Sequence, residues 1–300
     1  TATGHPGCAG PPSSPGQRHR GDSYAALVPE LPEVEMVRRQ LEPLVSGVEI
    51  LGGWSHPSEK FASAPEAAGH RISGVSRRGK YLLFGLENMA NHLGTERELV
   101  VHLGMTGSLY VDPTPPDDAY VRARWLLGDG RHLWFRDVRR FGRIAVVRRG
   151  DHRSLPTLRD LGPEPFDRSL TGTTFHRSLA TSRRRIKTKL LSQRPIAGIG
   201  NIYADEALWR SGIHPGTRRL GPERSDRLLG HLRDVLTEAL DNGGTTLRDY
   251  RTPDRGTGRN QHRLDCYGRA GRPCRTCGDV LTSRSIDQRT ATWCPTCQAR

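Results

Sequence analysis

Apolar residues recur along this chain in different rhythms. Val34, Val37, Leu41 and Leu44 mark one face of a helix that begins at Pro32, suited to a first turn, and ends at Gly47. Between about 70 and 150 the rhythm becomes β-like. Lys80–Leu86, Glu98–Leu103, Arg124–Leu127, His132–Phe135 and Arg143–Val147 are short runs punctuated by Gly, Asp and Asn. Strands at this spacing predict a sandwich or barrel-like sheet.

Helical spacing returns between 154 and 250, in Phe175–Ala180, Ile186–Gln193, Asn201–Gly212 and the longer Pro222–Asn242. In the last, Leu228, Leu229, Leu232, Val235, Leu236, Ala239 and Leu240 form a core face, and Gly243-Gly244 stops it. A polar loop over 251–265 leads into a cysteine-rich end. Residues 1–28, rich in Gly, Pro, Ser, Arg and His without apolar periodicity, read as disordered or not translated.

Charge narrows the partners. The 300 residues carry 46 Lys and Arg against 32 Asp and Glu, a net +14. Such a field attracts polyanions, nucleic acid above all. A membrane is excluded as partner, for there is no long apolar run and no basic amphipathic helix with bulky apolar anchors. Only Lys60, Lys80, Lys187 and Lys189 are lysines, which leaves few candidates for a catalytic side-chain amine.

Cys8 lies in the tail, and the other five cysteines fall between 266 and 297. Cys274-x-x-Cys277 and Cys294-x-x-Cys297, sixteen residues apart, have the spacing of a four-thiolate zinc site rather than of free thiols or two disulfides. A closed four-cysteine shell leaves no open position, so one structural Zn²⁺ is expected. Cys266 falls outside the spacing. Gly198-Ile-Gly-Asn201-Ile-Tyr203 is a glycine turn opening a helix, with Asn201 as candidate N-cap and an anion site at the helix end. Upstream, Arg183, Arg184, Arg185, Lys187 and Lys189 form a basic run suited to a nucleic-acid backbone.

Val28-Pro-Glu-Leu-Pro-Glu-Val-Glu35 opens a series of further motifs: Arg78-Gly-Lys80-Tyr, His102-Leu-Gly-Met105-Thr-Gly-Ser108, Arg139-Arg-Phe141-Gly, Leu161-Gly-Pro-Glu-Pro165, Gly198–Glu206, Thr245-Thr-Leu and Tyr267-Gly-Arg269. With the four cysteines, and in this order, the chain after residue 28 resembles the formamidopyrimidine-DNA glycosylase/endonuclease VIII family. Pro-Glu-Leu-Pro and His-Leu-Gly-Met favour the first branch. The resemblance implies an α+β protein in four parts: a tail over 1–28, an N-terminal catalytic β-sandwich domain over 29–153, a helix–two-turn–helix DNA-binding domain over 154–255, and a lesion loop with a zinc finger over 256–300.

It also implies roles. Pro29 would be the nucleophile and Glu30 the acid assisting sugar opening, with Glu33 as support. Lys80, His102, Asn201 and Arg289 would hold phosphates, with Lys187 a further DNA contact, and Met105, Arg139 and Phe141 would fill the space left by a flipped nucleotide. The implied activity is removal of oxidised purines with strand cleavage by a monomer in the bacterial cytoplasm, associated with the nucleoid. Its partner is double-stranded DNA carrying oxidised bases or abasic sites. The alternatives are an endonuclease VIII-like enzyme for oxidised pyrimidines and a non-catalytic damaged-DNA-binding protein.

A terminal proline suits such chemistry, because a free α-amine has a pKa of roughly 8 and a secondary amine gives a permanently charged iminium. In this chain Val28 precedes Pro29, and an amide nitrogen is no nucleophile. The expectation is that residues 1–28 are absent from the working protein, Val28 being a misread GTG start in a frame that opens on Thr1 rather than Met. Two further departures are Val138 after Asp137, expected to alter one turn, and Arg259 and Asn260 where relatives often carry an aromatic, which bears on lesion preference.

Overall fold

The computed structural model describes residue 1 and residues 28–89, 96–246 and 253–299. The expectation for the tail, Cys8 within it and the leucine of Thr245-Thr-Leu lie outside the described residues. Helix α1 (Leu31–Val45) opens with Glu30 as N-cap and Pro32 in its first turn, and a left-handed Gly47 follows its end. Its buried stripe is Leu31, Val34, Val37, Leu41 and Val45. The predicted Leu44 is exposed instead, because the stripe drifts round the helix and Val45 takes the core position.

Eight antiparallel strands follow: β1 (Glu49–Ser55), β2 (His70–Arg78), β3 (Tyr81–Asn88), β4 (Arg97–His102), β5 (Gly107–Asp112), β6 (Val121–Leu127), β7 (His132–Asp137) and β8 (Arg143–Arg148). Their order is β5-β7-β6-β1-β2-β3-β4-β8. The sheet folds over one core, in which Leu109, Trp125 and Phe135 of the first half join Phe84, Val101 and Ile144 of the second. Helix α1 closes that core with Val34, Val37 and Leu41. Strands β1, β2 and β5 are additional to the five expected. Glycines interrupt β1 and β2, and the register slips beside Gly52 and Gly74, as bulges do.

A second core belongs to the helices α2 (Pro156–Arg159), α3 (Gly172–Ala180), α4 (Ile186–Leu191), α5 (Asn201–Arg210) and α6 (Pro222–Asp241). All but the short α2 contribute to it, and Leu31, the first residue of α1, is buried there too. The start of α1 therefore lies where the two cores meet. Strands β9 (Thr282–Ile286) and β10 (Arg289–Trp293) form a hairpin whose turn residues, Asp287 and Gln288, both have positive φ, the geometry of a tight two-residue turn. No helix among the described residues is long and apolar enough to cross a membrane.

Candidate active site and metal centre

The residues just before α1 are clamped to the start of α5. Leu31 N–H donates to Gly198 O at 3.1 Å. The Glu30 carboxylate accepts the N–H groups of Gly200 at 2.6 Å and Ile202 at 2.8 Å. Glu30 thus fills the anion site at the N-terminus of α5 that the sequence assigned to a phosphate. Gly200, not Asn201, is the N-cap, and a Cβ there would stand 2.5 Å from Lys80 Nζ and collide with the Glu30 carboxyl. Burial raises the Glu30 carboxyl to about 7, opposed by the Lys80 ammonium and reinforced by Glu33. Lys80 is itself pulled down by burial, against the pull of both carboxylates.

Glu33 sits behind this pair. Its carboxylate accepts the Glu30 N–H at 2.9 Å, the Tyr203 hydroxyl at 2.6 Å and the Thr245 N–H at 2.7 Å. Burial raises Glu33, and burial with the nearby Glu33 charge raises Tyr203. Asn260 Nδ2 reaches Thr245 Oγ1 at 2.9 Å, so this side chain belongs to the same buried network.

A cavity of about 800 Å³ opens in front of Glu30 and Lys80, between the β-domain and the helical part. Val28 stands in its wall, and the buried Pro29 lies between Val28 and Glu30. One side carries His102, Met105, Arg139 and Phe141, and the other Asn201, Gln288 and Arg289. Burial, then the Lys80 charge, depresses His102 to about 4, so the ring is neutral. Its Nδ1 accepts the Gly104 N–H at 3.2 Å, which leaves the proton on Nε2. Phe141 is 48% exposed with the Arg139 guanidinium 4.9 Å from its ring centre, an arrangement open to insertion rather than packed as core. Asn201 Oδ1 is buried with no partner among the described residues.

Lys187 is a correction. It is wholly buried, and its ammonium donates to Asp205 Oδ1 at 2.6 Å and Thr290 O at 2.6 Å, so it cannot touch a phosphate. Lys189, about 200° round the same helix, is buried on another side, where its ammonium donates to Leu179 O and Arg218 O at 2.8 Å, while Arg183 and Arg184, before the helix, stay exposed. The work of Lys187 is to hold β10: Asp205 Oδ2 also accepts the Thr292 N–H at 3.0 Å. Burial raises Asp205 to about 6 despite Lys187. The next residue, Glu206, grips the loop before the hairpin through the N–H groups of Asp265, Cys266 and Tyr267 at 2.8–3.0 Å.

Arg289 follows the hairpin turn directly, and that turn is tied to α4 by Arg185 and Thr188, which hold the Asp287 carboxylate at 2.9 and 2.5 Å. Beyond it, the Sγ atoms of Cys274, Cys277, Cys294 and Cys297 lie within 4.8 Å of one another. A tetrahedral Zn²⁺ with bonds of about 2.3 Å needs sulfurs roughly 3.8 Å apart, and the pairs Cys274–Cys297 and Cys277–Cys294 stand at 3.9 and 3.4 Å. Trp209 Nε1 and the Cys297 N–H donate to two of these sulfurs, an outer shell suited to thiolates. The four residues fit one structural zinc ion. Cys266 is apart, its Sγ donating to Thr292 O.

Sequence reasoning missed Tyr203, Asp205, Glu206 and Glu164. Glu164, within Gly-Pro-Glu-Pro165, accepts the Gly79 N–H at 2.7 Å and pairs with Arg77 and Arg78, which fixes the turn carrying Lys80. The signal available was position alone: Tyr203, Asp205 and Glu206 lie within Gly198–Glu206 and Glu164 within Leu161–Pro165, motifs already recognised.

Comparison with known proteins bears on the whole arrangement. Three family models match in order: the formamidopyrimidine-DNA glycosylase N-terminal domain over residues 28–144, the formamidopyrimidine-DNA glycosylase H2TH domain over 161–251, and a zinc finger found in FPG and IleRS over 271–300. A formamidopyrimidine-DNA glycosylase of Thermus thermophilus is 46% identical over 275 residues, covering 90% of this chain and 98% of the relative. One from Deinococcus radiodurans is 40% identical over 277 residues, covering 90% and 97%. The crystal structure of the MutM (Fpg) protein from Thermus thermophilus superposes with a TM-score of 0.82, covering 91% of this chain and 99% of that one at 46% identity. A Lactococcus lactis FPG mutant in complex with Fapy-dG containing DNA gives 0.79 at 32% identity, covering 91% and 100%. With matching models over both domains and the four-cysteine hairpin, and relatives this similar along nearly their full length, the chain belongs to the formamidopyrimidine-DNA glycosylase family.

Proposed function

We propose that this chain is a bifunctional DNA glycosylase and abasic-site lyase of base excision repair, acting as a monomer on duplex DNA with oxidised purines. The observation that carries the reading is Glu30. A carboxyl near neutrality sits beside a buried lysine, next in sequence to Pro29, at the floor of a cavity whose rim carries Phe141 and Arg289. Its pKa suits a group that must both give and take a proton at neutral pH.

In this reading a lesion is turned out of the duplex into the cavity, since its sugar is unreachable within the stack. The nitrogen of Pro29, as a free secondary amine, bonds to C1′ and loses its proton while the oxidised base departs with the glycosidic electrons and takes one up. Glu30 protonates the ring oxygen as the sugar opens, which leaves a positively charged iminium. That charge acidifies C2′, and loss of its proton expels the 3′ phosphate; a second elimination expels the 5′ phosphate. Water then releases Pro29. Lys80, His102 through Nε2, Asn201 and Arg289 hold phosphates, while Met105, Arg139 and Phe141 fill the void. Lys187 has no place in this list. We assign the protein to the bacterial cytoplasm, associated with the nucleoid, and divide it as the domains over 29–153, 154–255 and 256–300.

The chemistry requires that the Val28–Pro29 bond be absent. A second reading, a non-catalytic lesion-binding protein, is favoured for the 300-residue form by Val28 standing in the cavity wall. Borohydride trapping on duplexes with 8-oxoguanine, thymine glycol or an abasic site separates these readings. A form beginning at Pro29 should trap on 8-oxoguanine and abasic duplexes, and the 300-residue form should not. Preference for thymine glycol points to an oxidised-pyrimidine enzyme, and no trapping by either form leaves the binding protein.

A further inference from the structure

Asp137 ends β7 with its side chain completely buried, outside the roles given above. Its Oδ1 accepts the Thr106 hydroxyl at 2.6 Å and its Oδ2 the Gly142 N–H at 2.7 Å. The Thr106 oxygen in turn accepts the Arg139 N–H at 3.1 Å. Asp137 is itself fixed, since its N–H donates to Tyr120 O at 2.9 Å and its carbonyl accepts Arg122 Nε at 2.8 Å. One carboxylate thus fastens two segments: the turn between β4 and β5, which carries Met105, and the loop between β7 and β8, which carries Arg139 and Phe141.

The two segments touch as backbone. A Cβ on Gly104 would collide with Phe141 and Gly142, and one on Gly142 would stand 2.6 Å from the Phe135 ring and 2.9 Å from Asp137 Oδ2. Between the two points of attachment, Arg140 takes a left-handed φ of 55° and its carbonyl accepts Lys60 Nζ at 2.8 Å. A short loop that presents a half-exposed aromatic ring must be held from beneath, or the ring loses its preferred orientation to other rotamers and loop shapes.

We propose that Asp137, acting through Thr106, is the positioning residue that holds Met105, Arg139 and Phe141 in one rigid wedge. This rests on the void-filling role given to those three residues. The charged acceptor makes both attachments stronger than neutral ones would be, and burial shields them from competing water. Loss of either attachment leaves Phe141 on the loop but no longer aimed.

The test uses the 300-residue chain and a duplex with a tetrahydrofuran abasic analogue beside 2-aminopurine. That analogue has no C1′ hydroxyl and forms no imine, so the result is independent of the Pro29 amine. Binding should raise 2-aminopurine fluorescence as the neighbouring base unstacks. Asp137→Asn and Thr106→Val should each cut that rise at least about twofold, as should Phe141→Ala, with affinity for undamaged duplex within about twofold of the parent. Thr106→Val, nearly isosteric, keeps the test alive if the Asp137 variant folds poorly. A full rise in both variants, with loss only in Phe141→Ala, overturns the proposal. A full rise in Phe141→Ala overturns the wedge reading and this proposal with it. Failure of borohydride trapping would overturn the chemistry at Pro29 and leave this result standing.

Discussion

Gly200 shows how little room the site allows. The nearest atoms to a Cβ there belong to the Glu30 carboxyl and the Lys80 ammonium, two groups whose protonation is set first by burial and then by each other's charge. Gly200→Ala should push both away from the α5 N-terminus. A displacement on the order of 1 Å is expected to lower the single-turnover rate about 100-fold, while overpacking costs roughly 1–3 kcal/mol of stability. A rate within a few-fold of the parent in single-turnover assays would contradict this. Glu206 gives a pH test. Its carboxyl sits at about 7 in the folded chain against an ordinary 4.5, because burial outweighs three N–H donors. The folded state keeps a proton that the unfolded chain releases. Its stabilising contribution is therefore complete below the unfolded value and lost as the pH rises through 7. Glu206→Gln does not titrate, so the variant should gain roughly 5 °C in Tm relative to the parent between about pH 5 and about pH 8. A pH-independent difference measured by calorimetry would rule it out.

The β9–β10 hairpin is the element most dependent on an outside agent. Its apolar contacts are few, Ile286, Ala291 and Trp293 forming one small cluster, whereas the β-domain core is closed without any cysteine. Chelation should abolish DNA binding, followed by anisotropy, at concentrations that leave the β-domain melting transition in place. Simultaneous loss of both would mean that zinc supports the whole chain. Such an element is plain in a sequence because two knuckles at a fixed spacing have few other uses. The helices were legible for a similar reason, a strong 3.6-residue rhythm. Strands β1 and β2 were not, since glycine bulges break their alternation. Lys187 was misread because a basic run has no visible inside until its helix is packed, and its partner Asp205 lies eighteen positions away. Glu206 was missed because a buried acid that binds backbone N–H groups leaves no pattern of its own.

For the molecule as a whole, a net +14 supplies long-range attraction to DNA, while only a few groups fix the register. Of the four phosphate candidates, His102 is neutral and Asn201 uncharged, which leaves Lys80 and Arg289 as the cations. Arg289→Ala should weaken binding to any duplex sequence and reduce the slope of log Kd against log salt by about 1. An unchanged slope in salt titrations would show that Arg289 makes no ionic contact. Helix α5 has a separate significance for anyone recombining this chain with its relatives. Its first two turns meet Glu30 through Gly200 and Ile202, Glu33 and Thr245 through Tyr203, Lys187 and β10 through Asp205, and the loop before the hairpin through Glu206. Each added or deleted residue would rotate these contacts by about 100°, and no register satisfies some while losing only one. A junction that shifts the register by one residue inside 198–206 should therefore give insoluble chimaeras even between similar parents, whereas a one-residue shift in the exposed stretch around 166–169 should be silent.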